Sequence, residues 1–173
     1  MFCKKVMVIG AGTMGSGIAQ VFLTHGCDVI LNDIKQEFID GGVKKIDKSL
    51  TKLVAKEKMT QADKDAAMGR LTGFVEITKD NMKDVDLVVE AAIEDMKIKG
   101  QIFKNLGEVC PPETILASNT SSLPITKIAA ATNRPDKVIG MHFFNPAPVM
   151  KLIELINGIA TSEDTFNKVF EAS

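Results

Sequence analysis

The sequence is most tightly constrained by a glycine-rich turn between a short apolar run and a helical pattern. Val6–Ile9 has the length of a buried strand, and residues 16–23 show the pattern of a helix. The turn between them consists of Gly10, Ala11, Gly12, Thr13, Met14 and Gly15. Its first glycine permits a tight turn, its second lets a pyrophosphate approach the backbone, and its third lets the helix pack against the strand. Because the helix also presents free N–H groups and a positive dipole end here, the motif predicts a site for the phosphates of a dinucleotide.

A carboxylate at the end of the next strand indicates which dinucleotide is bound. The run Asp28–Asn32 predicts a second strand that ends at Asp33, 23 residues after Gly10. A carboxylate at this place accepts hydrogen bonds from the adenosine ribose and repels a 2′-phosphate, so NAD is favoured over NADP. Lys35 leaves NADP open, because its ammonium group is within reach of a phosphate in the same region. The alternative is a glycine turn followed by an ordinary surface aspartate, and the complete strand–turn–helix–strand order argues against it.

The rest of the chain alternates strand and helix patterns in short units. Strands are predicted over residues 73–76, 86–92, 114–117, 137–142 and 150–156, and helices over 36–56, 60–68, 95–109 and 124–131. Thr60 and Ser122 are the expected caps of the second and fourth of these helices. This alternation predicts the α/β class, as a Rossmann-like, doubly wound, mostly parallel sheet.

Ligands of such sheets bind outside the carboxyl ends of the strands. The segments that follow predicted strands here are Gly10–Gly15, Asp33, Ala91–Glu94 and Ser118–Ser122. The polar run Ser118–Ser122 is equally consistent with an ordinary loop.

The last two strands are expected to be antiparallel neighbours at one edge of the sheet, because their connection is too short for a parallel crossover. If they pair about Pro148, His142 lies opposite Glu154, since both are six residues from it. Oxidation of an alcohol releases a proton, and histidine, with an ordinary pKa of ~6.5, is suited to accept it while a carboxylate fixes the ring. A structural histidine is the alternative. The second histidine, His25, is expected to be solvated at a helix end.

Composition and charge exclude several other functions. A net charge of −1 argues against nucleic acid as a partner. No apolar run reaches the ~18 residues that span a bilayer, so no membrane partner is expected. The three cysteines have no metal-ligand spacing, which predicts no metal site and reduced thiols in a cytoplasmic protein. A stripe of lysines runs along one face of the predicted helix 36–56. A solvated face is favoured there over a docking surface for an anionic ligand. Its members are Lys45, Lys48, Lys52 and Lys56.

Three motifs taken together resemble those of the 3-hydroxyacyl-CoA dehydrogenases. They are the turn Gly10–Gly15, the run Ser118–Ser122, and His142-Phe143-Phe144-Asn145-Pro146 followed by Met150-Lys151-Leu152 and Glu154. The resemblance covers essentially all 173 residues and is strongest to bacterial members that act on a four-carbon acyl group. It implies NAD-dependent oxidation of an (S)-3-hydroxyacyl-CoA to the 3-oxoacyl-CoA, or the reverse reduction.

The resemblance also implies roles for individual residues. His142 would be the general base and Glu154 its orienting partner, while Ser121 and Asn145 would hold the substrate oxygens and the nicotinamide end of NAD. Asp33 would bind the ribose, and Glu94 and Lys99 would line the nicotinamide half of the cofactor site. Ser49 and Lys56 would contact the CoA moiety of an acyl-CoA substrate, which favours function at Lys56 but not along the whole lysine stripe.

The family pattern sets an expectation for domain organisation. Members continue into a helical C-terminal domain that dimerises and closes over the substrate. Residues 1–173 are therefore expected to be an NAD-binding domain whose last helix, from about residue 162 with Thr161 or Ser162 as its cap, leads into that missing domain. The full-length protein would be a homo-oligomer, and Phe166, Val169 and Phe170 would form an apolar face without a partner. Two alternatives stay open: an isolated nucleotide-binding module with little activity, or a related dehydrogenase of another small hydroxy substrate.

Overall fold

The computed structural model describes residues 3–173 and contains one sheet with helices on both faces. The strands are β1 (Lys5–Ile9), β2 (Asp28–Asn32), β3 (Leu71–Phe74), β4 (Leu87–Glu90), β5 (Ile115–Ser118), β6 (Val138–Phe143) and β7 (Ile153–Asn157). The helices are α1 (Thr13–Thr24), α2 (Gln36–Ala55), α3 (Gln61–Gly69), α4 (Lys79–Met82), α5 (Met96–Val109), α6 (Ile125–Ala129) and α7 (Glu163–Ala172), with a 3-10 turn at Pro135–Lys137.

The strand order confirms the predicted fold class. Among the described residues the order is β3-β2-β1-β4-β5-β6-β7, and β7 is antiparallel to β6 while all other neighbouring pairs are parallel. Successive residues of β1 alternate between two cores, with Val6 and Val8 in one and Met7 and Ile9 in the other. The first core includes buried residues of α1, α2, α3 and α7, and the second includes those of α4, α5 and α6.

Several predicted boundaries differ from the observed ones for local reasons. β3 lies two residues earlier than predicted, and it ends where the Asn32 amide donates to the carbonyls of Phe74 and Val75 at 2.6 and 3.0 Å. β7 begins at Ile153 rather than at Met150, because the backbone of Met150 turns back to the carbonyl of Pro146. Neither α4 nor the 3-10 turn was expected from the sequence.

The caps of the helices were predicted with mixed success. Thr60 caps α3 in a capping box, as expected, and Ser162 rather than Thr161 caps α7. The assignment of Ser122 as a cap of α6 is wrong: the helix begins after Pro124 without a side-chain cap. Thr120 instead caps the turn that precedes α6, because its hydroxyl accepts from the backbone N–H of Leu123 at 3.0 Å.

The apolar face of α7 is partly covered, which corrects the expectation that it has no partner. Val169 is fully buried and Phe166 packs against the first core, whereas Phe170 is 69% exposed. Within residues 3–173, no helix combines the length and the apolar character needed to cross a membrane.

Candidate active site

The glycine turn joins β1 to α1 with very little space between them. Gly10 has a φ of +99°, which L side chains rarely adopt, so glycine is required there. A Cβ on Gly15 would lie 1.7 Å from the carbonyl oxygen of Gly10, whereas a Cβ on Gly12 would meet nothing within 4 Å. Gly15 therefore permits the close packing of helix and strand, and the position of Gly12 opens onto free space, as expected of a phosphate cradle.

The N-terminus of α1 has no side-chain cap. Thr60, Asp95 and Ser162 cap α3, α5 and α7 with side-chain oxygens, whereas α2 and α6, like α1, begin without a side-chain cap. The first N–H groups of α1 and its positive dipole end thus face the open space at Gly12, which suits a pyrophosphate.

Asp33 follows β2 and is hydrogen-bonded to the glycine turn. Its Oδ2 accepts from the backbone N–H of Ala11 and its Oδ1 from that of Ile34, each at 2.7 Å. A carboxylate has about four acceptor sites, so both oxygens keep capacity for ribose hydroxyls. Lys35 forms an exposed ion pair with Glu37 at 3.4 Å and lies over the ring of Phe38. The turn and the acid therefore fit the adenosine diphosphate part of NAD.

His142 and Glu154 lie opposite each other on β6 and β7, in the register that the sequence predicts. The Nδ1 of His142 is 2.9 Å from Oε2 of Glu154, with 19% of the histidine and 53% of the glutamate side chain exposed. With Nδ1 donating to the carboxylate, Nε2 is left to accept a proton. The arrangement is that of a general base held by an acid.

A cleft of about 350 Å³ brings six of the fifteen predicted site residues together. Predicted members of its lining are Met14, Glu94, Lys99, Ser121, His142 and Asn145, and they share it with Ala91, Ala92, Asn119, Phe143 and Phe144. The segment beyond Asn145 packs on α1, since a Cβ on Gly17 would touch Ala147 and Pro148 at 3.3 and 3.2 Å. This contact places the histidine loop beside the glycine turn.

A polar network below this cleft was missed by the sequence analysis. Lys99, 1% exposed, has its Nζ 2.7 Å from Oε1 of Glu90, which is fully buried, and 3.4 Å from Oε2 of Glu94. Ser118 donates to the other oxygen of Glu90 at 2.6 Å. The available signal was an acid within the apolar run of residues 86–92, where an unpaired carboxylate would be costly.

Hydrogen bonds stabilise the ionised form of Glu94. Burial favours the neutral carboxyl, but donation from Thr120, from Lys99 and from the backbone of Ser121, together with the charge of Lys99, lowers the pKa of Glu94. The outer edge of the network therefore presents a negative charge to the cleft.

The predicted CoA-binding residues lie apart from the residues that line this cleft. Ser49 is half-buried on α2, and Lys56 is exposed at the end of that helix. The other three lysines of the stripe are also exposed, as expected of a solvated face. Among the described residues, no group of three or more side chains is arranged to hold a metal ion.

Comparisons with known proteins show what the chain is similar to. The model of the 3-hydroxyacyl-CoA dehydrogenase NAD-binding domain matches residues 5–173. The chain is 53% identical to 3-hydroxybutyryl-CoA dehydrogenase of Clostridioides difficile over 98% of its length and 59% of the relative's. It is 47% identical to the enzyme of the same name from Bradyrhizobium diazoefficiens, covering 94% of the chain and 55% of the relative.

A solved structure is similar over the same range. The crystal structure of (S)-3-hydroxybutyryl-CoA dehydrogenase from Ralstonia eutropha superposes with a TM-score of 0.94 at 45% identity, covering 98% of this chain and 59% of that one. The chain thus spans little more than half the length of the relatives that it matches.

Proposed function

The chain belongs to the 3-hydroxyacyl-CoA dehydrogenase family, as an NAD-binding domain, and on this premise we propose that it takes part in the interconversion of (S)-3-hydroxyacyl-CoA and 3-oxoacyl-CoA. The ester with a four-carbon acyl group, 3-hydroxybutyryl-CoA, is the proposed substrate, because relatives at 47% and 53% identity carry that name.

The His142–Glu154 pair is the observation that carries this proposal. NAD supplies the hydride acceptor when bound. Nε2 of His142 accepts the proton of the substrate hydroxyl, while Glu154 holds the ring through Nδ1 and stabilises the imidazolium that forms. In the reverse direction the same nitrogen returns the proton to the carbonyl oxygen.

The other cleft residues position the reactants. Ser121 and Asn145 are exposed at the ends of β5 and β6 and line the same cleft as His142, so they are proposed to hold the substrate oxygen and the nicotinamide end. Glu94 and Lys99 are proposed to line the nicotinamide half, and Asp33 the ribose.

The proposed CoA contacts are Ser49 and Lys56. Their support is the family resemblance and the cationic, exposed side chain of Lys56, which suits the phosphates of CoA.

A cytoplasmic location and homo-oligomerisation are further parts of the proposal. The location is supported by three buried free cysteines, which are typical of reducing compartments. Homo-oligomerisation is proposed for the full-length protein because of the family resemblance. Sedimentation velocity of that protein tests it.

The direct test is oxidation of NADH by the chain in the presence of acetoacetyl-CoA. We expect a rate that depends on the CoA ester, and a loss of about 10²-fold or more in His142→Ala. Full turnover by this variant would remove His142 as the base. Equal rates with free acetoacetate would favour a dehydrogenase of another small hydroxy substrate.

A second candidate function is an NAD-binding module with little activity of its own. The observation that favours it is coverage, because the chain spans only 55–59% of the two curated relatives described above. Titration with NAD⁺ beside the turnover assay separates the candidates: binding without turnover supports the module, and CoA-dependent turnover rejects it.

A further inference from the structure

Glu90 is a fully buried acid at the end of β4, and both of its carboxylate oxygens are occupied. Oε1 accepts from the backbone N–H of Ala92 at 2.7 Å and from Nζ of Lys99 at 2.7 Å, and Oε2 accepts from the Ser118 hydroxyl at 2.6 Å. The three donors belong to three segments: the connection after β4, the helix α5 and the end of β5. One side chain therefore fixes the relative positions of all three.

These segments build one wall of the candidate active site. Ala92 and Lys99 line the cleft directly, and Asn119 follows Ser118. Asn119 donates from its backbone to the carbonyl oxygen of Glu90 at 2.8 Å, and its side chain accepts from the N–H of Phe143 at 2.8 Å. The backbone of Glu90 is thus two hydrogen bonds away from the strand that carries His142.

Stability alone is a poor explanation for this buried ion pair. Removing a lysine and a carboxylate from water costs several kcal/mol per ion, and an apolar pair of similar volume is often as stable or more stable. Glu90 and Lys99 are 0% and 1% exposed, so the desolvation cost applies to both. The arrangement is then better explained by the precise geometry that it imposes on the cleft.

We propose that Glu90 is a positioning residue that acts through Lys99 and Ser118 to hold the part of the cofactor site that takes the nicotinamide ring in its binding geometry. The inference rests on the proposed function, because it assumes that NAD occupies the cleft. It assigns no contact between Glu90 and the cofactor. The Gly10–Gly15 turn and Asp33, the proposed site of the adenosine half, share no hydrogen bond with the Glu90 carboxylate. The turn meets the network at Ala92, which lies beside Gly10, and Glu90→Gln keeps the acceptor for Ala92.

The experiment compares binding of NAD⁺ and of ADP-ribose, which lacks the nicotinamide, by isothermal titration of the chain. In Glu90→Gln the amide oxygen can still accept from Ala92 and the amide nitrogen can donate to Ser118, so the change removes mainly the charge that holds Lys99. We expect NAD⁺ to bind about tenfold more weakly, the effect of losing one charge-assisted contact. ADP-ribose affinity should change less than about twofold, within the range of an uninvolved site.

Two further variants keep the test decisive. Ser118→Ala removes the hydrogen bond to Oε2 with a small change in volume, and it should weaken NAD⁺ by about threefold while leaving ADP-ribose unchanged. It carries the test if Glu90→Gln fails to fold. Asp164→Asn removes a carboxylate on α7 that pairs with Lys137 and Lys168 and does not line the cleft. It should alter neither affinity.

The outcomes distinguish the inference from the proposed function. If Glu90→Gln or Ser118→Ala weakens both ligands equally, or neither, the positioning role is refuted. If the unaltered chain binds neither NAD⁺ nor ADP-ribose, the proposed function fails and the inference fails with it.

Discussion

Replacing Glu154 by glutamine should separate the catalytic role of the His142–Glu154 pair from its contribution to stability. The glutamate side chain is 53% exposed and that of His142 is 19% exposed, with 2.9 Å between Nδ1 and Oε2. Ion pairs with this degree of solvent contact contribute about 0–1 kcal/mol to stability. We therefore expect Glu154→Gln to change the free energy of unfolding by less than about 1 kcal/mol.

The expected effect on turnover is much larger. Replacing the orienting acid of a buried triad by its amide lowers kcat about 10⁴-fold, and general acid–base catalysis is worth about 10²–10⁴-fold. Here the acid is half-exposed, and the glutamine oxygen can still accept from Nδ1, so only the stabilisation of the imidazolium is lost. We expect a loss of about 10²-fold, which corresponds to about 2.7 kcal/mol in the activation barrier.

The assay measures initial rates of NADH oxidation with acetoacetyl-CoA, together with urea denaturation of the same samples. Asp164→Asn is the matched control, since Asp164 is a carboxylate of 57% exposure that pairs with Lys137 and Lys168 on the outside of α7. It should leave the turnover within experimental error, whereas its loss of stability, from two exposed ion pairs in the first turn of α7, should be similar to that of Glu154→Gln. The reasoning is refuted if Glu154→Gln keeps more than about half of the turnover, or if its rate loss is matched by an equal loss of stability.

Four other predictions follow from single observations. Gly15→Ala places a Cβ 1.7 Å from the Gly10 carbonyl oxygen, so it should cost at least about 1–3 kcal/mol and abolish NAD⁺ binding. Gly41→Ala, whose Cβ meets nothing within 4 Å, should stabilise α2 by about 0.5–1 kcal/mol, and thermal denaturation with NAD⁺ titration measures both. Because the pKa of Glu94 is lowered in the fold, its charge should stabilise the chain above the ordinary value of about 4.5. The difference in melting temperature from Glu94→Gln should then shrink as the pH falls below that value and vanish below the lowered pKa of the folded state, and a constant difference would contradict this. Burial raises the pKa of Cys110 to about 12 and also raises that of Cys3. Ellman's reagent should therefore react slowly with the thiols of the native chain. After denaturation it should react with all three thiols.

The alternation of strands and helices was predictable because each element carries its own local signal. Leu87–Val89 is an apolar run, and β4 is buried along its whole length, which marks a central parallel strand. The antiparallel pairing of the last two strands was predictable for a different reason, since their connection is too short for a parallel crossover. The register was an assumption that they pair about Pro148, and the structure confirms it by placing His142 opposite Glu154.

Other features depend on contacts between segments that are distant in sequence. The end of β3 is set by the side chain of Asn32, 42 residues earlier in the chain. On α5, Ile98 is 40% exposed, whereas the neighbouring Lys99 is buried. Helical periodicity ranks an isoleucine above a lysine for the core, and only the buried carboxylate of Glu90 reverses that order.

The place of the cleft follows from the order of the strands. β1 lies between β2 and β4 in the sheet. The connection after β1 leads to β2 and the connection after β4 leads to β5, so the two run in opposite directions and a crevice forms at this switch point. The residues proposed to hold the adenosine half of NAD follow β1 and β2, whereas His142 is on β6, and β4 and β5 lie between them. The distance from cofactor to base is therefore set by two strands that supply no proposed general base. Glu90 joins the ends of those two strands through Ser118, and for this reason changes there should impair cofactor alignment before they impair the His142–Glu154 pair.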